Sequence, residues 1–324
     1  MIIDPANAPV SGEAGLSTLH LSVAGGITQF GAYIDTLQPG AFSSHRHWHT
    51  AEDEFIYVLD GTVTLRDDDG MHDLAPGDAA AWPHGCPNAH HLTNRGDTPC
   101  RYIIIGSRAA GDVCHYPDDG RMQVNGSTRW HMEDATGAIL RQDDLPPELL
   151  NLPQPWGDAF NPNAPGQRIL RQDTTPWTPE ENPVHPVTGP GPGPYSARLL
   201  SDPGGLTQFG AFLEDLPPGS SSGHRHWHEA EDEMIFMLSG EAVLVDENET
   251  TLHPGDAAAW PAGVPIGHRL DNRADAPVRY LVIGTRAERD IIHYTDHDLI
   301  THKDGHTRRY LRRDGSEYLV RRQP

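Results

Sequence analysis

The sequence HRHWH at residues 45–49 returns unchanged at residues 224–228, 179 positions later. A second motif, GDAAAWP, occupies residues 77–83 and returns at residues 255–261, where the offset is 178. One residue has therefore been lost between the two motifs in the second copy. Two copies of about 120 residues each indicate the duplication of a whole domain, because solenoid repeats are much shorter.

Short apolar runs separated by turns predict β-strands in both copies. Residues 55–59 and 62–65 form two such runs on either side of Gly61, a pattern that is typical of a tight hairpin. Pro76 and Gly77 suit the two central positions of a type II turn, which need a fixed φ and a positive φ respectively. No window of helical length has apolar residues with a period near 3.6. The sequence therefore predicts an all-β fold closed into barrels, which hide strand edges.

The boundaries of the repeats divide the chain into three parts. We predict an N-terminal barrel over residues 16–138 and a C-terminal barrel over residues 195–316. Residues 139–194 lie between them and are rich in proline and glycine, including the run GPGPGP. This composition predicts a semi-rigid linker without regular structure that runs over the surface.

Charge and cysteine content restrict the possible partners and the compartment. The chain has 24 basic and 46 acidic residues and a formal net charge of −22, which argues against nucleic acid or an anionic membrane as a partner. Its three cysteines, Cys86, Cys100 and Cys114, are odd in number and have no CxxC spacing, as in a reduced intracellular protein. We expect no signal peptide and no membrane span. The expected protein is cytoplasmic.

The repeated histidines are the candidates for chemistry. In an extended chain, the spacing by two of His45, His47 and His49 places all three imidazoles on one face. Glu54 follows after a short bend, and His90 follows the second motif. Histidines kept only for packing do not explain why this set recurs in the second copy. The corresponding residues there are His224, His226, His228, Glu233 and His268.

Several assignments stay open from the residues alone. His45 can replace His47 as a ligand, and Glu52 can replace Glu54. In the second copy, His224 can replace His226 as a ligand in the same way. His91 can replace His90, but Arg269 stands at its place in the second copy, and this favours His90.

The spacing of these residues resembles the two motifs of the cupin superfamily. The first, G-x5-H-x-H-x3–4-E-x6-G, fits His47, His49, Glu54 and Gly61, although Gly40 lies one residue too far ahead. The second, G-x5-P-x-G-x2-H-x3-N, also fits, except that four residues instead of two separate its last glycine from the histidine. The second motif covers residues 77–94 in the first copy and ends at Asn94. In the other copy the matching residues are Gly255, Pro261, Gly263, His268 and Asn272.

The resemblance implies a bicupin, in which two double-stranded β-helix (jelly-roll) barrels each hold one metal ion. Imidazole-rich sites suit iron, manganese, nickel, copper or zinc. Asn94 and Asn272 are candidates for orienting the ligands, although a role in capping a turn is the favoured interpretation. The implied ligands are His47, His49, Glu54 and His90 in the first barrel and His226, His228, Glu233 and His268 in the second.

The same resemblance implies a function. Bicupins similar in plan include metal-dependent dioxygenases, so we expect an oxidoreductase that acts on a small organic substrate, with Glu54 or Glu233 doubling as a base. One alternative is a redox-neutral cupin lyase, decarboxylase or isomerase, and another is a metal-bearing protein that only binds a small molecule. Cupin barrels often pair, so a homodimer is expected. The two sites differ in their surroundings, since His84, Cys86, Asn88 and His91 become Ala262, Val264, Ile266 and Arg269, and this difference predicts a division of labour.

Overall fold

Runs of apolar residues bounded by glycine and proline form strands throughout the part of the chain that the computed structural model describes, which is residues 1–5, 7–13, 15–156 and 166–320. The all-β prediction is confirmed. Within the described residues the helices are one turn long: α1 (Leu21–Gly25), α2 (Ser201–Gly204) and a 3-10 turn at Pro147–Leu149. None of them is long and apolar enough to cross a membrane.

The strands follow the same order in each half of the chain. The first half contains β1 (Ile2–Ile3), β2 (Val10–Glu13), β3 (Leu16–His20), β4 (Phe30–Leu37), β5 (Trp48–His49), β6 (Glu54–Asp60), β7 (Val63–Asp67), β8 (Gly70–Leu74), β9 (Ala79–Trp82), β10 (His91–Thr93), β11 (Cys100–Ser107), β12 (Val113–Tyr116), β13 (Arg121–Asn125), β14 (Arg129–Glu133) and β15 (Ile139–Asp144). The second half contains β16 (Ile169–Leu170), β17 (Val184–His185), β18 (Gly189–Pro190), β19 (Ser196–Leu199), β20 (Phe209–Leu216), β21 (His226–His228), β22 (Glu233–Ser239), β23 (Ala242–Val245), β24 (Glu249–Leu252), β25 (Ala257–Trp260), β26 (Arg269–Asp271), β27 (Val278–Thr285), β28 (Arg289–Tyr294), β29 (Leu299–Asp304) and β30 (Thr307–Leu311).

These strands build two antiparallel barrels. In the first, the large sheet β16-β9-β6-β11-β4-β3-β2 stands opposite the smaller sheets β10-β7-β8 and β15-β14-β13-β12-β5. In the second, the sheet β1-β25-β22-β27-β20-β19 stands opposite β24-β23-β26 and β21-β28-β29-β30. The two barrels exchange their edge strands, because β1 pairs with β25 of the second barrel and β16 pairs with β9 of the first.

Strand alternation divides the apolar residues among three cores. One face of each large sheet points into its own barrel, and the other face packs against the large sheet of the other barrel. Between the barrels, the rings of Phe30 and Phe209 lie 6.4 Å apart, with Ala32 and Ala211 beside them, all buried. The barrels therefore share a continuous apolar layer.

The hairpin glycines of the two motifs are required by the backbone. Gly61 and Gly240 have φ of 70° and 76°, a left-handed conformation that other residues rarely adopt. A Cβ atom at Gly61 would lie 2.9 Å from the Pro99 carbonyl oxygen, and one at Gly240 would lie 2.7 Å from that of Pro277. Both hairpins that follow the predicted glutamate ligands therefore depend on glycine.

The segment between the barrels contains more regular structure than its composition predicts. β15 extends the outer sheet of the first barrel, β16 completes its large sheet, and β17 and β18 form a small hairpin. The Trp177 ring packs against the shared core, with the guanidinium groups of Arg198 and Arg279 4.6 and 4.7 Å from its centre. The prediction of a segment without regular structure was therefore wrong, because pairing with a barrel edge overrides local composition. Residues 157–165 of the predicted linker lie outside the described residues.

A reciprocal pair of buried aspartates joins the barrels. Asp53 Oδ2 accepts hydrogen bonds from the backbone N–H groups of Thr207 (2.6 Å) and Gln208 (2.8 Å) in the second barrel. The Asp53 N–H in turn donates to Gln208 Oε1 at 3.0 Å. The second copy repeats the arrangement in the opposite direction, because Asp232 accepts from the N–H of Gln29 at 2.8 Å and donates to Gln29 Oε1 at 2.9 Å. Asp53 and Asp232 are both fully buried, so water cannot replace these bonds.

We predict that Asp53→Asn destabilises the protein by about 3 kcal/mol, because the asparagine amide places a donor against backbone N–H donors and leaves them buried without an acceptor. Urea denaturation, followed by circular dichroism, measures the free energy of unfolding. Asp97→Asn is the control, since Asp97 is exposed. An equal, small effect of both substitutions would show that the buried aspartate does not hold the barrels together.

Candidate metal centres

Two strands and one isolated bridge position the predicted ligands of the first barrel. His49 lies on β5, and Glu54 is the first residue of β6. The backbones of His47 and His90 pair, with N···O distances of 3.1 and 2.9 Å between the two residues. The four side chains therefore meet inside one end of the barrel, although His90 is 36 positions from Glu54 in the chain.

The three imidazoles of the first barrel surround one carboxylate oxygen. Glu54 Oε2 lies 3.0 Å from the Nε2 atom of His90, 3.8 Å from that of His47 and 3.9 Å from that of His49. Three nitrogen donors and one oxygen donor thus point at a common volume, which suits a divalent transition metal ion.

The second barrel repeats this geometry. Glu233 Oε2 lies 3.1 Å from the Nε2 atom of His268, 4.0 Å from that of His226 and 3.9 Å from that of His228. All eight residues that the motifs single out are therefore brought together, as two groups of four that could each hold a metal ion.

The other ring nitrogens are occupied, and this orients the donors. The Nδ1 atom of His47 lies 2.9 Å from the His45 carbonyl oxygen, and that of His49 lies 2.7 Å from Asp112 Oδ2. In the second barrel His226 uses the His224 carbonyl oxygen (2.8 Å) and His228 uses Asp290 Oδ2 (2.6 Å). Because these acceptors hold a proton on Nδ1, the lone pair is left on Nε2, as a metal ligand requires. The residues present therefore fit a metal ion.

Sequence reasoning missed the two orienting aspartates. Asp112 and Asp290 are buried, and the second oxygen of each accepts from the N–H of Ala51 or Ala230 at 2.8 Å. Each lies three residues before a histidine that recurs in the repeat, at the same offset of 178 as the second motif. That repetition was the available signal, but nothing local connects an aspartate after a turn with a histidine about 60 positions earlier.

The charges of the first group are strongly coupled. Burial would raise the pKa of the Glu54 carboxyl, but His90, with His47 and His49, holds this pKa well below its usual range. Burial lowers the pKa of His47 to about 4. Burial would also lower the pKa of His49, but the hydrogen bond and charge of Asp112 raise it to about 9. In the absence of metal, the Glu54 carboxyl is therefore ionised, His47 is neutral and His49 carries a proton at neutral pH.

The second group shows the same pattern. His268 and the other two imidazoles outweigh burial and hold the pKa of Glu233 well below its usual range. Burial lowers the pKa of His226 to about 4, while Asp290 outweighs burial and raises that of His228. Matching electrostatics in two diverged copies indicate that the arrangement serves a common purpose.

The alternative histidine ligands that the sequence left open have other partners. His45 is exposed and lies edge-on to the Tyr116 ring, and His224 bonds to His297 and Thr188 at the rim of the second barrel. His91 Nδ1 donates to the Ser44 carbonyl oxygen at 3.0 Å.

Glu52 and the asparagines also have other partners. Glu52 accepts from the Ala109 N–H at 3.0 Å and faces the Nδ1 side of His49, away from the common volume. The Asn94 side-chain amide donates to the carbonyl oxygens of Leu37 and Thr98, and Asn272 repeats this with Leu216 and Ala276. The asparagines therefore brace turns, as the favoured interpretation holds.

Aromatic rings support the site from behind. The Trp82 ring stacks on His90 and the Trp260 ring stacks on His268, both with centres 3.7 Å apart. Both tryptophans are buried. Trp48 instead stacks on His115 with ring centres 4.0 Å apart, so it points away from Glu54 as the alternation predicts.

A buried thiol lies beside the first group. Cys114, His47 and His49 lie close enough for their ligand atoms to share one metal ion. Burial raises the pKa of the Cys114 thiol to about 12, so it is protonated in the absence of metal. The corresponding residue of the second barrel is Ile292, and this contrast is one chemical difference between the two sites.

Comparisons with known proteins agree with this fold. The family model for the Cupin domain matches residues 33–106 and 212–284. The chain is 38% identical to a sugar phosphate isomerase of the cupin superfamily from Silicibacter pomeroyi, over 45% of this chain and 93% of that one, with a TM-score of 0.40. Among curated proteins, none matches this chain in sequence.

Two bicupins match over most of the chain. An oxalate decarboxylase from Lactobacillus farciminis is 17% identical, with a TM-score of 0.54, and the match covers 91% of this chain and 88% of that one. An oxalate decarboxylase variant from Bacillus subtilis is 18% identical, with a TM-score of 0.50, over 91% and 78% of the two chains. At these identities the likeness concerns the fold alone. The two Cupin domain matches, together with the duplicated barrels, show that the chain belongs to the cupin superfamily and is a bicupin.

Proposed function

We propose that the protein is a metal-dependent enzyme that binds one divalent transition metal ion in each barrel and acts on a small organic substrate. The observation that supports this is the repeated convergence of three Nε2 atoms on one carboxylate oxygen, with the Nδ1 atoms of the HxH histidines held by fixed acceptors. Imidazole and carboxylate donors suit iron, manganese, nickel, copper and zinc. The proposed ligands are His47, His49, Glu54 and His90 in the first barrel and His226, His228, Glu233 and His268 in the second.

The number of donors supports an oxidative reaction of the dioxygenase kind. Three imidazoles and one carboxylate would hold the ion and, if it were six-coordinate, would leave room for a substrate oxygen and for dioxygen. The bound metal would act as Lewis acid and as redox partner. The protein itself has to keep the ligands in place, keep water out and control protons.

The residues around the ligands are suited to these tasks. Asp112 and Asp290 hold a proton on Nδ1 of His49 and His228, which directs the Nε2 lone pair toward the common volume. Trp82 covers one face of the His90 ring and keeps that side of the site apolar. A base role for Glu54 or Glu233 stays a prediction.

A redox-neutral reaction, as in a lyase, decarboxylase or isomerase, is the second candidate. One observation favours it: Glu214 lies inside the second barrel, and burial raises its pKa to about 8. A carboxyl that carries a proton near neutral pH is suited to proton transfer. This candidate needs no dioxygen, so oxygen dependence separates the two.

We also propose that the protein works in the cytoplasm. The thiols of Cys86, Cys100 and Cys114 are free, which supports a reducing compartment. The homodimer stays a prediction.

We predict that His49→Ala empties the first site and His228→Ala empties the second, so each variant binds about one metal equivalent less than the unsubstituted protein, since losing one of four ligands greatly weakens metal binding. Elemental analysis of protein purified without a nickel column measures the content. His45→Ala is the matched control, because this histidine contributes only its backbone oxygen to His47. Unchanged metal in both ligand variants would refute the assignment.

We predict that metal uptake by the first site releases a proton from His49 and strengthens about tenfold per pH unit between pH 7 and 9. The sign follows from the pKa of about 9, because His49 is protonated below this pH and must lose its proton to bind metal. Calorimetry in buffers of different ionisation enthalpy measures the protons released by the His228→Ala protein.

Asp112→Asn removes the charge that holds this proton and should flatten the pH dependence. Asp118→Asn is the control, since Asp118 is an exposed partner of Arg46. The same proton release in the Asp112 variant as in the control would contradict this account of His49.

We predict that iron(II)-loaded protein consumes dioxygen with a catechol, a flavonol or a β-diketone, because each can bind the metal through an enolate-like oxygen. An oxygen electrode follows uptake, and mass spectrometry identifies the product. The His49→Ala/His228→Ala double variant is the control and should be inactive. Product formed equally fast under nitrogen would refute the oxidative proposal in favour of the redox-neutral candidate.

A further inference from the structure

Each barrel contains a second buried carboxyl group, and the two barrels differ in how this group is hydrogen-bonded. Asp35 on β4 and Glu214 on β20 occupy equivalent positions, and each lies opposite a tyrosine, Tyr102 or Tyr280, in the neighbouring strand. All four side chains are buried. Neither carboxyl is a proposed metal ligand, so a difference between the two carboxyls points to a role other than binding the metal.

In the first barrel this carboxyl is fully engaged. Asp35 Oδ1 accepts from the Thr18 hydroxyl at 2.6 Å, and its Oδ2 accepts from the Tyr102 hydroxyl at 3.0 Å. Both oxygens of the Asp35 carboxyl thus have partners within the first barrel.

In the second barrel one of these two partners has been lost. Ala197 stands opposite Glu214, where Thr18 stands opposite Asp35, and it offers no hydroxyl. Glu214 Oε1 has no hydrogen-bond partner among the described residues, and the Tyr280 hydroxyl lies near the Glu214 carboxyl and Ser222 without a well-aligned hydrogen bond to either. A buried carboxyl oxygen without a partner costs about 1–3 kcal/mol, so a purely structural role does not explain it.

Glu214 and Tyr280 border a cavity that reaches the proposed metal ligands. A cavity of about 380 Å³ is lined by Glu214 and Tyr280 and also by Glu233, His226 and His268. Apolar side chains make up much of the remaining wall, among them Leu199, Phe212, Ile235 and Val282. The cavity thus has metal ligands and a separate pair of hydrogen-bonding groups along one apolar wall.

We propose that the second barrel is the substrate-binding barrel and that Glu214 and Tyr280 bind a hydroxyl group of a hydroxylated carboxylic acid whose other end chelates the metal. A hydroxyl both donates and accepts, and it therefore satisfies the two side chains together. Burial raises the pKa of Glu214 to about 8, so at neutral pH this carboxyl can donate as well as accept. The inference rests on the proposed metal site of the second barrel, and it assigns the first barrel a structural part.

Cobalt(II) absorption tests the proposal on one site at a time. In the His49→Ala protein only the second site loads, and the visible cobalt spectrum reports each acid that reaches the metal. The probes are pairs of equal carbon number: 2-hydroxybutanoate with 2,4-dihydroxybutanoate, and 2-hydroxypentanoate with 2,5-dihydroxypentanoate. We expect the added hydroxyl to tighten binding about tenfold in at least one pair, which is the worth of one or two buried hydrogen bonds.

Glu214→Leu separates binding from folding. An apolar side chain of similar size removes the unpartnered oxygen, so this variant should be at least as stable as its parent while the tenfold preference disappears. Asp35→Leu, made in the same parent, is the matched control. It should lose stability, because Thr18 and Tyr102 lose their acceptor, and it should keep the preference of the second site.

Each outcome is decisive. A preference that survives Glu214→Leu, or no preference in either pair for the parent, overturns the inference and leaves the metal site intact. Failure of the parent to bind cobalt at all refutes the proposed metal site itself, and no acid titration is then needed. Loss of the preference in Glu214→Leu, with cobalt content and stability retained, supports the inference.

Discussion

The architecture depends on two buried aspartates, one in each barrel, whose carboxylates accept hydrogen bonds from the backbone of the other barrel. Asp53 and Asp232 precede the proposed ligands Glu54 and Glu233 by one residue, and both accept backbone N–H groups from the opposite barrel. Because a buried charge is costly unless it is bonded, these contacts tie the start of each glutamate-bearing strand to the opposite barrel. The interface between the barrels therefore helps to position each proposed metal centre. The exchanged edge strands and the shared apolar layer reinforce the same interface.

This dependence explains why the duplicated chain is more than two barrels on a tether. β1 closes the large sheet of the second barrel, and β16, which lies in the predicted linker, closes that of the first. Neither barrel has its complete sheet without residues that precede the other repeat. A proline- and glycine-rich segment supplies one of these strands because two residues suffice for the edge and demand little intrinsic strand propensity.

Short apolar runs and repeated motifs allowed the all-β class and the duplication to be predicted from the sequence, and the resemblance to the cupin motifs predicted which four residues converge in each barrel. The alternation in HxH, the bend before Glu54 and the hairpin glycine Gly61 are local features that survive in any correct fold. Asp112 and the exchange of β1 and β16 could not be predicted in this way. They depend on which distant strands become neighbours, and hydrogen bonds across about 60 or about 250 positions leave no local pattern. The failed linker prediction has the same cause, since composition describes the isolated segment and not the edge that it meets.

Duplication makes the remaining differences informative, because one copy shows what the fold alone requires. Where both copies agree, as at Asp112 and Asp290, the common demand is the orientation of an imidazole. Where the two copies differ, the fold does not require the residue or contact that only one barrel has. Asp35 with its two partners shows that the barrel can satisfy a carboxyl at this position, so the unsatisfied oxygen of Glu214 is not imposed by the fold. A stable chain that retains this cost in one copy only is best understood if a bound molecule supplies the missing partner.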